Sequence, residues 1–370
     1  MNKKIIHITL GKINPERSNG INKVVNSLIT CQVNNGVNAE FWGISFSNKH
    51  NYPKRNYTTH LFMDSKNKFS LDSNLKLAIS KLNKETTVCH IHGSFSPQLY
   101  SVVSLLRKNS IPYIFTPHGG YNIEALKKSK LIKRIYIKLF EKYVVNNSKH
   151  VQLLGDSEIV GTEKYFTSQN TIIPNGQELN KKSSLIKNKS VICVGFIGRI
   201  DINTKGLDIL LKGIKAATSK MNIRLEIIGA NGEIETLKKM VNNLELQKHV
   251  QFKGAHFGND KLALMSNWDA LCLTSRYEGL PGVVLEAGSI GVPSIVSQET
   301  NMSNYIEHHK SGWVLHQNTP MDILHALIQL KEAKTNNTYH NYADSAYSMI
   351  REEFDWNYIT KKLSILYGNN

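Results

Sequence analysis

The sequence predicts an α/β protein made of two doubly wound parallel-sheet domains. One observation is the alternation of short β-rich apolar runs with segments of helical periodicity along nearly the whole chain. Another is the length of 370 residues, which suggests two domains. Strand–helix–strand alternation requires parallel strands joined by right-handed crossovers, with helices on both faces of each sheet. We therefore expect two lobes of the same general construction.

The first lobe begins with a strand at Lys4–Leu10 and a helix from about Gly20, after which apolar residues recur at helical spacing. The remaining strands predicted for this lobe are Ala39–Ile44, Val88–His92, Tyr113–Thr116, Val151–Leu154 and Thr171–Ile173. Helical stretches separate most of them. This order predicts one complete doubly wound sheet.

The second lobe repeats the pattern, with helices predicted at Leu207–Ala216 and Ile234–Leu244. Its predicted strands are Val191–Ile197, Arg224–Ile228, Val250–Lys253, Ala270–Leu273 and Ser294–Val296. The polar segment Asn180–Ser190 has the composition of a linker, so we place the domain boundary there. The predicted domains are residues 1–180 and 181–340, and a closing helical segment, 341–370, is expected to pack back on the first domain.

The chain carries 46 Lys and Arg residues against 29 Asp and Glu, a formal charge of +17 at pH 7, which favours anionic partners. Its four cysteines are far apart and form no C-x-x-C motif, which argues against a zinc knuckle or a disulfide framework. No uncharged apolar run approaches the roughly 18 residues of a spanning helix. We expect a cytoplasmic protein, since a reducing compartment suits this cysteine usage.

A segment with glycines at both ends follows the first strand of the second lobe. It spans residues 198–206 and contains Arg199 and Lys205. Glycines permit tight turns, and an Arg fork with a Lys point charge near a helix N-terminus forms an anion site suited to a diphosphate. Solvated basic side chains on a loop are the alternative interpretation of this segment taken alone.

Two glutamates separated by seven residues, Glu278 and Glu286, follow the strand that ends near Leu273. Pro281 suits the first turn of a helix, whose unpaired N–H groups would face an anionic ligand. Because these groups and the basic loop would already attract phosphate, the carboxylates are better explained as acceptors for hydroxyls of a sugar or ribose. A helix-start carboxylate with a surface ion pair is the structural alternative.

With both segments in place, the sequence resembles the retaining glycosyltransferases of family 4, the glycosyl transferases group 1. The resemblance covers most of the chain, and the Glu278-x7-Glu286 element carries it most specifically. It implies the GT-B fold, in which two Rossmann-like domains face a central cleft. It also implies transfer of a sugar from a nucleoside-diphosphate sugar to an acceptor hydroxyl with retention of configuration. Members that modify lipid-linked saccharides in surface polysaccharide or lipopolysaccharide synthesis suggest the acceptor class.

By this resemblance, Arg199 and Lys205 neutralise the donor diphosphate, Glu286 holds the ribose hydroxyls, and Glu278 holds the donor sugar. The resemblance implies that the backbone of four following residues also holds the donor sugar: Gly279, Leu280, Pro281 and Gly282. Five residues separate Arg199 from Lys205, one more than the commonest family spacing. No Asp-x-Asp motif occurs in the chain, so we expect no metal and no cofactor besides the nucleotide sugar, a uridine or guanosine diphosphate sugar on family grounds.

In the first lobe, His118 directly follows a strand in Thr116-Pro117-His118-Gly119-Gly120 and resembles the active-site histidine of the family. His92, at the end of another strand, is a candidate to face the acceptor, and His90 a weaker one. Gly20 resembles the second glycine of a pair that lies near donor phosphate and acceptor. Asn19 occupies the place of the first glycine, and asparagine tolerates the left-handed backbone that this turn requires.

The stretch Lys127–Lys142 is strongly basic, with a single acid at Glu141. Leu131, Ile135 and Leu139, with Phe140, lie on one helical side and are expected to be core. The basic side chains that could lie above an anionic leaflet are Lys127, Lys128, Lys130, Lys133, Arg134 and Lys138. Peripheral attachment to the inner face of the cell membrane is the hypothesis, and a solvated helix face is the alternative.

Three other functions compete with the transferase interpretation. A two-lobed sugar-nucleotide epimerase or hydrolase would share the fold and differ in chemistry. A nucleic-acid-binding protein is supported only by the net charge, because no stacking platform, zinc pattern or recognition helix accompanies it. A nicotinamide dehydrogenase is the third alternative, but this sequence lacks the Gly-x-Gly-x-x-Gly motif after the first strand of either domain.

Overall fold

The computed structural model of the chain describes residues 3–14, 20–50, 52, 54–183, 190–230 and 232–368. The chain forms two compact units, Met1–Gly176 with Trp356–Asn370 and Gln177–Asp355. The first boundary lies a few residues before the one expected at residue 180. The second lies at Asp355 rather than at residue 340, so the second unit is longer than expected.

The first unit contains a seven-stranded sheet in the order β3-β2-β1-β4-β5-β6-β7, with parallel neighbours throughout. Its strands are β1 (Lys4–Leu10), β2 (Ala39–Ser45), β3 (Thr58–Met63), β4 (Thr87–His92), β5 (Tyr113–Thr116), β6 (His150–Leu153) and β7 (Asn170–Ile172). The strand order reverses between β1 and β4. In doubly wound sheets, ligands bind beyond the carboxyl ends of the strands at such a reversal.

The helices of the first unit are α1 (Gly20–Asn34), α2 (Ser73–Ser80), α3 (Pro97–Lys108), α4 (Ile123–Lys127), α5 (Lys130–Tyr136), α6 (Lys142–Asn146), α7 (Ile159–Tyr165) and the last helix of the chain, α16 (Trp356–Tyr367). A π-helical turn, Ile137–Glu141, joins α5 to α6, and a 3-10 turn, Asp156–Glu158, precedes α7.

The second unit contains a six-stranded parallel sheet in the order β10-β9-β8-β11-β12-β13, which reverses between β8 and β11. Its strands are β8 (Ile192–Ile197), β9 (Ile223–Ile228), β10 (Val250–Gly254), β11 (Ala270–Leu273), β12 (Ser294–Ser297) and β13 (Gly312–Leu315). Its helices are α8 (Ile202–Lys205), α9 (Leu207–Ala217), α10 (Ile234–Asn243), α11 (Gly258–Met265), α12 (Gly282–Ser289), α13 (Ser303–His309), α14 (Pro320–Thr335) and α15 (Tyr339–Glu353).

Packing in the core of the second unit explains why β8 has a glycine at residue 195. Trp268 is fully buried and donates from Nε1 to Glu226 at 2.9 Å. Its indole lies against the backbone of Gly195 in β8, where a Cβ atom would come within 2.1 Å of the ring. A side chain at this position would expel the tryptophan, so β8 runs close to the ring only because residue 195 is glycine.

The closing segment, expected as one helical stretch over 341–370, consists of two helices in different units. α15 packs against α12 of the second unit, where Ile350 lies close to the backbone of Gly288. The chain then bends at Phe354 and Asp355, and Asp355 bridges Gln177. Only α16 belongs to the first unit, where it packs against α1 and buries Trp356.

Two strands, β3 and β13, had no counterpart in the sequence prediction. β3 is an edge strand with mostly exposed or half-exposed residues, so it lacks the apolar run by which buried parallel strands are recognised. β13 is an edge strand of four residues beginning at Gly312, whose Cβ would lie 2.0 Å from the carbonyl oxygen of Ser294. Both strands extend their sheets without changing the reversal points.

Candidate functional site

The loop after β8 forms the first part of the candidate site. Asp201 caps α8 by accepting from the backbone N–H of Thr204 at 3.0 Å. Its other carboxylate oxygen lies 2.9 Å from Nη2 of Arg199. The Arg199 side chain is 68% exposed, so this ion pair is weak in water and an anionic ligand could replace it.

Lys205 ends α8 and forms an ion pair with Glu278 of the loop after β11. Ser275 donates its hydroxyl to the same carboxylate oxygen of Glu278 at 2.7 Å. Both charged side chains are mostly buried, at 19% and 15% exposure. The structure thus brings together two predicted site residues from loops that flank the strand reversal, a lysine for phosphate and a carboxylate for hydroxyls.

These two loops are locked to one another through their backbones. Gly206 has φ +62°, and a Cβ there would lie 1.9 Å from the carbonyl oxygen of Thr274. Arg276 forms a bidentate ion pair with Asp208, with N–O distances of 2.9 and 2.8 Å, and its own N–H donates to the carbonyl of Thr204 at 2.9 Å. Such forked pairs fix geometry, so the Lys205 loop is held by the Arg276 loop.

The start of α12 supplies backbone donors. Pro281 precedes the helix and Gly282 is its first residue, exposed and with open space around the position of a Cβ. Gly279 is held by Asn301, which donates from Nδ2 to its carbonyl at 2.7 Å, and Leu280 is partly buried. The first N–H groups of a helix lack partners within the helix, so this end favours an anion.

Glu286 lies one turn into α12, and its side chain is only 7% exposed. Lys261 of α11 donates from Nζ to Oε2 of Glu286 at 2.5 Å. Lys261 was missed by the sequence analysis. The available signal was a lysine in the first turn of a helix that follows β10, on the same edge of the sheet as the other loops.

His118 of the first unit lies in a tight turn after β5. It has φ +52°, an uncommon conformation for a residue other than glycine, and Gly119 follows with φ +82°. A Cβ at Gly120 would lie 2.1 Å from Oγ of Ser94. Strained backbone of this kind persists where surrounding packing imposes it, and it recurs at functional sites. Burial lowers the pKa of His118 to about 4, so the ring is neutral at pH 7.

Two buried carboxyl groups support this region. Glu141 accepts from the hydroxyl of Tyr121 at 2.6 Å and from the N–H of Phe95 at 3.0 Å. Glu158 interacts with the backbone N–H groups of Tyr121 and Gly119, beside His118. Burial raises the pKa of both carboxyl groups to about 7, with the hydrogen bonds opposing the shift. Both groups therefore titrate near neutral pH.

The expectation that His92 faces an acceptor is wrong. His92 is 1% exposed and lies between two other rings, with Nε2 2.9 Å from Nδ1 of His7 and Nδ1 3.0 Å from Nε2 of His118. His90 is also buried, between Tyr367 and Thr116. His90 and His92 are two residues apart and lie on the same face of β4, with ring centroids 4.1 Å apart. Gln32 of α1 and Tyr367 of α16 contact this histidine cluster, and neither ring reaches solvent.

Gly20 is the first residue of α1 and is exposed, with open space at the position of a Cβ. The preceding residues, including Asn19, lie outside the described part of the chain. The role that the resemblance gives to Gly20 therefore stays a prediction.

The basic segment differs from the expectation in its apolar residues. Leu131, Ile135 and Leu139 were expected in the core, yet they are 73%, 52% and 59% exposed, and Ile132 is 72% exposed. Phe140 packs against neighbouring aromatic rings as expected, for example Tyr100 at 5.1 Å between centroids. No residue of α5 is buried, and burial begins only in the π-helical turn, at Ile137. Because this turn departs from the regular 3.6-residue period, the helical spacing of the segment does not predict which side chains are buried.

Comparisons with known proteins agree with this architecture. Residues 176–349 match the model of the family described as glycosyl transferases group 1. A Haemophilus influenzae protein named as an uncharacterized glycosyltransferase is 27% identical over 268 residues, which cover 71% of this chain and 71% of that protein.

Solved structures show the same fold. Anabaena HepE in complex with UDP and glucose aligns with a TM-score of 0.72 at 14% identity, over 99% of both chains. The lipopolysaccharide outer core galactosyltransferase WaaB aligns with a TM-score of 0.71 at 17% identity, over 99% of both chains. The predicted fold class, two doubly wound parallel-sheet domains of the GT-B type, is confirmed.

Proposed function

We propose that the chain is a member of the family described as glycosyl transferases group 1, whose model matches residues 176–349. In this proposal it transfers a sugar from a nucleoside-diphosphate sugar to an acceptor hydroxyl with retention of configuration. The acceptor in this proposal is a saccharide, lipid-linked, in surface polysaccharide or lipopolysaccharide synthesis. Two similar structures support the substrate classes: HepE binds UDP and glucose, and WaaB is a lipopolysaccharide galactosyltransferase.

The observation that carries this proposal is the ion pair between Lys205 and Glu278 beside the start of α12. A nucleotide sugar presents phosphate oxygens and sugar hydroxyls a few bonds apart. The lysine offers N–H donors to the phosphate oxygens, and the carboxylate accepts hydrogen bonds from the sugar hydroxyls. Arg199, on the same loop as Lys205, adds a second cation for the diphosphate.

Departure of the diphosphate creates negative charge, which is the main electrostatic demand of the reaction. Arg199, Lys205 and the first N–H groups of α12 are the groups proposed to stabilise it, without a metal. Attack would occur on the same face as the leaving group, and the departing phosphate would accept the proton of the acceptor hydroxyl. Neutral His118 would contact the donor sugar through a hydrogen bond rather than as an imidazolium.

A thermal-shift panel of nucleotide sugars tests the donor class, since a ligand that binds only the native protein raises its apparent stability. Lys205→Met should then lower kcat by about 10²–10³-fold, the usual cost of removing one donor to a developing anion. Lys215→Met is the matched control, because Lys215 pairs with Glu245 on the surface of the same unit. Equal rates for the two variants would refute the assignment of Lys205.

We also propose that the segment Lys127–Lys142 docks on an anionic membrane. Among the described residues no helix is both long and apolar enough to cross a bilayer. The exposed apolar side chains of α5, Leu131, Ile132 and Ile135, lie beside basic residues such as Arg134. Apolar side chains entering the headgroup region, with cations beside acidic lipids, are the two contributions that hold an interfacial helix.

Flotation with phosphatidylserine-containing and with purely phosphatidylcholine vesicles separates these contributions. Leu131→Ser with Ile135→Ser should reduce binding to the anionic vesicles by roughly 100-fold or more, since each inserted side chain contributes about 1.5–3 kcal/mol at full burial. Ile365→Ser is the control, because Ile365 is 74% exposed on α16 of the same unit. Equal binding to both vesicle types, or none, removes the idea.

A further inference from the structure

A continuous chain of hydrogen bonds runs through the interior of the first unit and ends at His118. Its members, in order, are Ile173, Gln152, Thr116, His90, Tyr367, Gln32, His7, His92 and His118. Its links measure between 2.7 and 3.3 Å. All members except His118 are buried. Because each side chain here can donate only certain protons, the direction of every link can be worked out.

The direction is fixed at the first end by a backbone carbonyl. The oxygen of Ile173 can only accept, so Gln152 must present its Nε2 group there, at 2.8 Å. The Oε1 atom of Gln152 then accepts the single hydroxyl proton of Thr116 at 2.8 Å. With its proton used, the Thr116 oxygen accepts from Nε2–H of His90 at 2.7 Å.

The next links pass through the last helix. A neutral His90 with its proton on Nε2 has a lone pair on Nδ1, which accepts from the hydroxyl of Tyr367 at 2.8 Å. The Tyr367 oxygen in turn accepts from Nε2 of Gln32 at 3.3 Å. This orients the Gln32 amide, whose Oε1 atom therefore faces Nε2 of His7, at 2.8 Å.

Three imidazoles complete the chain. His7 donates from Nε2 to Gln32, so its Nδ1 accepts from Nε2–H of His92 at 2.9 Å. His92 then accepts on Nδ1 from Nε2–H of His118 at 3.0 Å. Burial keeps these rings neutral, since it lowers the pKa of His7 and His118 to about 4 and that of His92 well below its usual value.

We propose that this chain fixes His118 as the tautomer with its proton on Nε2 and a lone pair on Nδ1, and that Gln32 is the positioning residue that sets this tautomer from α1. Nδ1 of His118 has no hydrogen-bond partner among the described residues. As a lone pair on a neutral ring, it accepts a hydrogen bond and cannot donate one. Resting on the proposed function, the inference is that His118 selects a sugar that presents a hydroxyl donor to it.

A metal ion offers a different interpretation of the same cluster. Ring nitrogens of His7, His90 and His92 lie within 4.8 Å of one another, close enough for shared ligation. Each of the six ring nitrogens already has a hydrogen-bond partner, however, and a metal would have to displace several at once. The satisfied network favours the hydrogen-bonded form.

Nitrogen-15 NMR of the histidine-labelled full chain at pH 7 tests the direction of the chain without any substrate. His118 is assigned by the resonances missing in His118→Gln. We expect a protonated Nε2 and an unprotonated Nδ1 at His118, with couplings across the hydrogen bonds to Nδ1 of His92 and from Nε2 of His92 to Nδ1 of His7. A proton on Nδ1 of His118, or shifts of His7, His90 and His92 on adding Zn²⁺, would overturn the proposal.

The role of Gln32 is tested by Gln32→Met, with Gln98→Met as the control. Gln98 is a buried helical glutamine of the same unit. It donates to Asp64, and neither residue is a member of the hydrogen-bond chain. Gln32→Met should give two sets of His118 resonances, one per tautomer, and lower kcat about tenfold with KM for the donor unchanged. A single tautomer and full kcat in this variant would refute the role of Gln32. If the wild type transfers no sugar at all, the proposed function fails, and the NMR experiment still decides the tautomer.

Discussion

Replacing Lys261 by methionine tests the site residue that only the structure revealed. Lys261 and Glu286 form a 2.5 Å ion pair with side chains 15% and 7% exposed. Removing one partner of a buried pair costs about 3–5 kcal/mol, because the remaining charge is left without compensation. Since Lys261 retains some exposure, we expect about 3 kcal/mol of destabilisation in the second unit, from the lower end of that range.

A double-mutant cycle separates the pair from simple loss of packing. Lys261→Met with Glu286→Gln removes both charges, and replacing both partners of such a pair is often nearly neutral. We therefore expect the double variant to recover most of the stability lost by Lys261→Met. Urea unfolding of the wild type, the two single variants and the double variant in the same buffer gives the four free energies that the cycle needs.

The surface ion pair of Lys215 and Glu245 is the control for this change in the free energy of unfolding. Its side chains are 41% and 83% exposed, so Lys215→Met should change the free energy of unfolding by about 1 kcal/mol or less. If the double variant were no more stable than Lys261→Met, the uncompensated charge would not be the cause of the loss. The account of Glu286 as a carboxylate held by Lys261 would then be wrong.

Other expectations follow from the same contacts. His118→Ala and Lys205→Ala should lower kcat, while Glu286→Ala should weaken donor binding measured by calorimetry; wild-type behaviour of all three would refute the site. Gly206→Ala should cost more than the roughly 1 kcal/mol of its left-handed backbone, because its Cβ would meet a carbonyl oxygen at 1.9 Å, and a thermal melt would show it. Glu141→Gln tests how the protonation of this carboxyl group affects the free energy of unfolding. Burial raises the pKa of Glu141 to about 7. The contribution of the group to stability is therefore full below pH 4.5 and is lost as the pH rises through 7. The variant should gain up to about 3 kcal/mol over the wild type between pH 5 and pH 8, by pH-dependent urea unfolding, and parallel curves would contradict this.

The sequence predicted the bounds of the strands best where the strands are largely buried. β1, β5 and β11 have the predicted bounds, because each reads as a continuous apolar run that both faces of a covered parallel sheet require. Edge strand β3 was missed because half of its positions face solvent and its residues show no such run. The edge strands β7 and β10 were predicted, so an edge position alone does not prevent a strand from being recognised in the sequence.

The sequence also predicted only some residues of the candidate site. Motif spacing identified Lys205 and Glu278, and both follow strands that flank the reversal of the second sheet. It could not give Lys261, because pairing of distant segments depends on how α11 lies beside α12. It also could not show that His92 is enclosed, since a histidine at a strand end has the same sequence whether it faces a ligand or another ring.

The cations assigned to the donor in the second unit are each paired with a carboxylate of this chain: Arg199 with Asp201, and Lys205 with Glu278. The net charge of +17 therefore does not describe the site, which is close to neutral before a ligand arrives. A diphosphate entering the proposed site would compete with these carboxylates for the same N–H donors. Glu278, once released from Lys205, would keep the hydroxyl of Ser275 as a donor. It would need replacements for the lysine N–H donors because its side chain is only 15% exposed. Hydroxyls of the attached sugar can supply them, so the exchange of partners links recognition of the phosphate to recognition of the sugar.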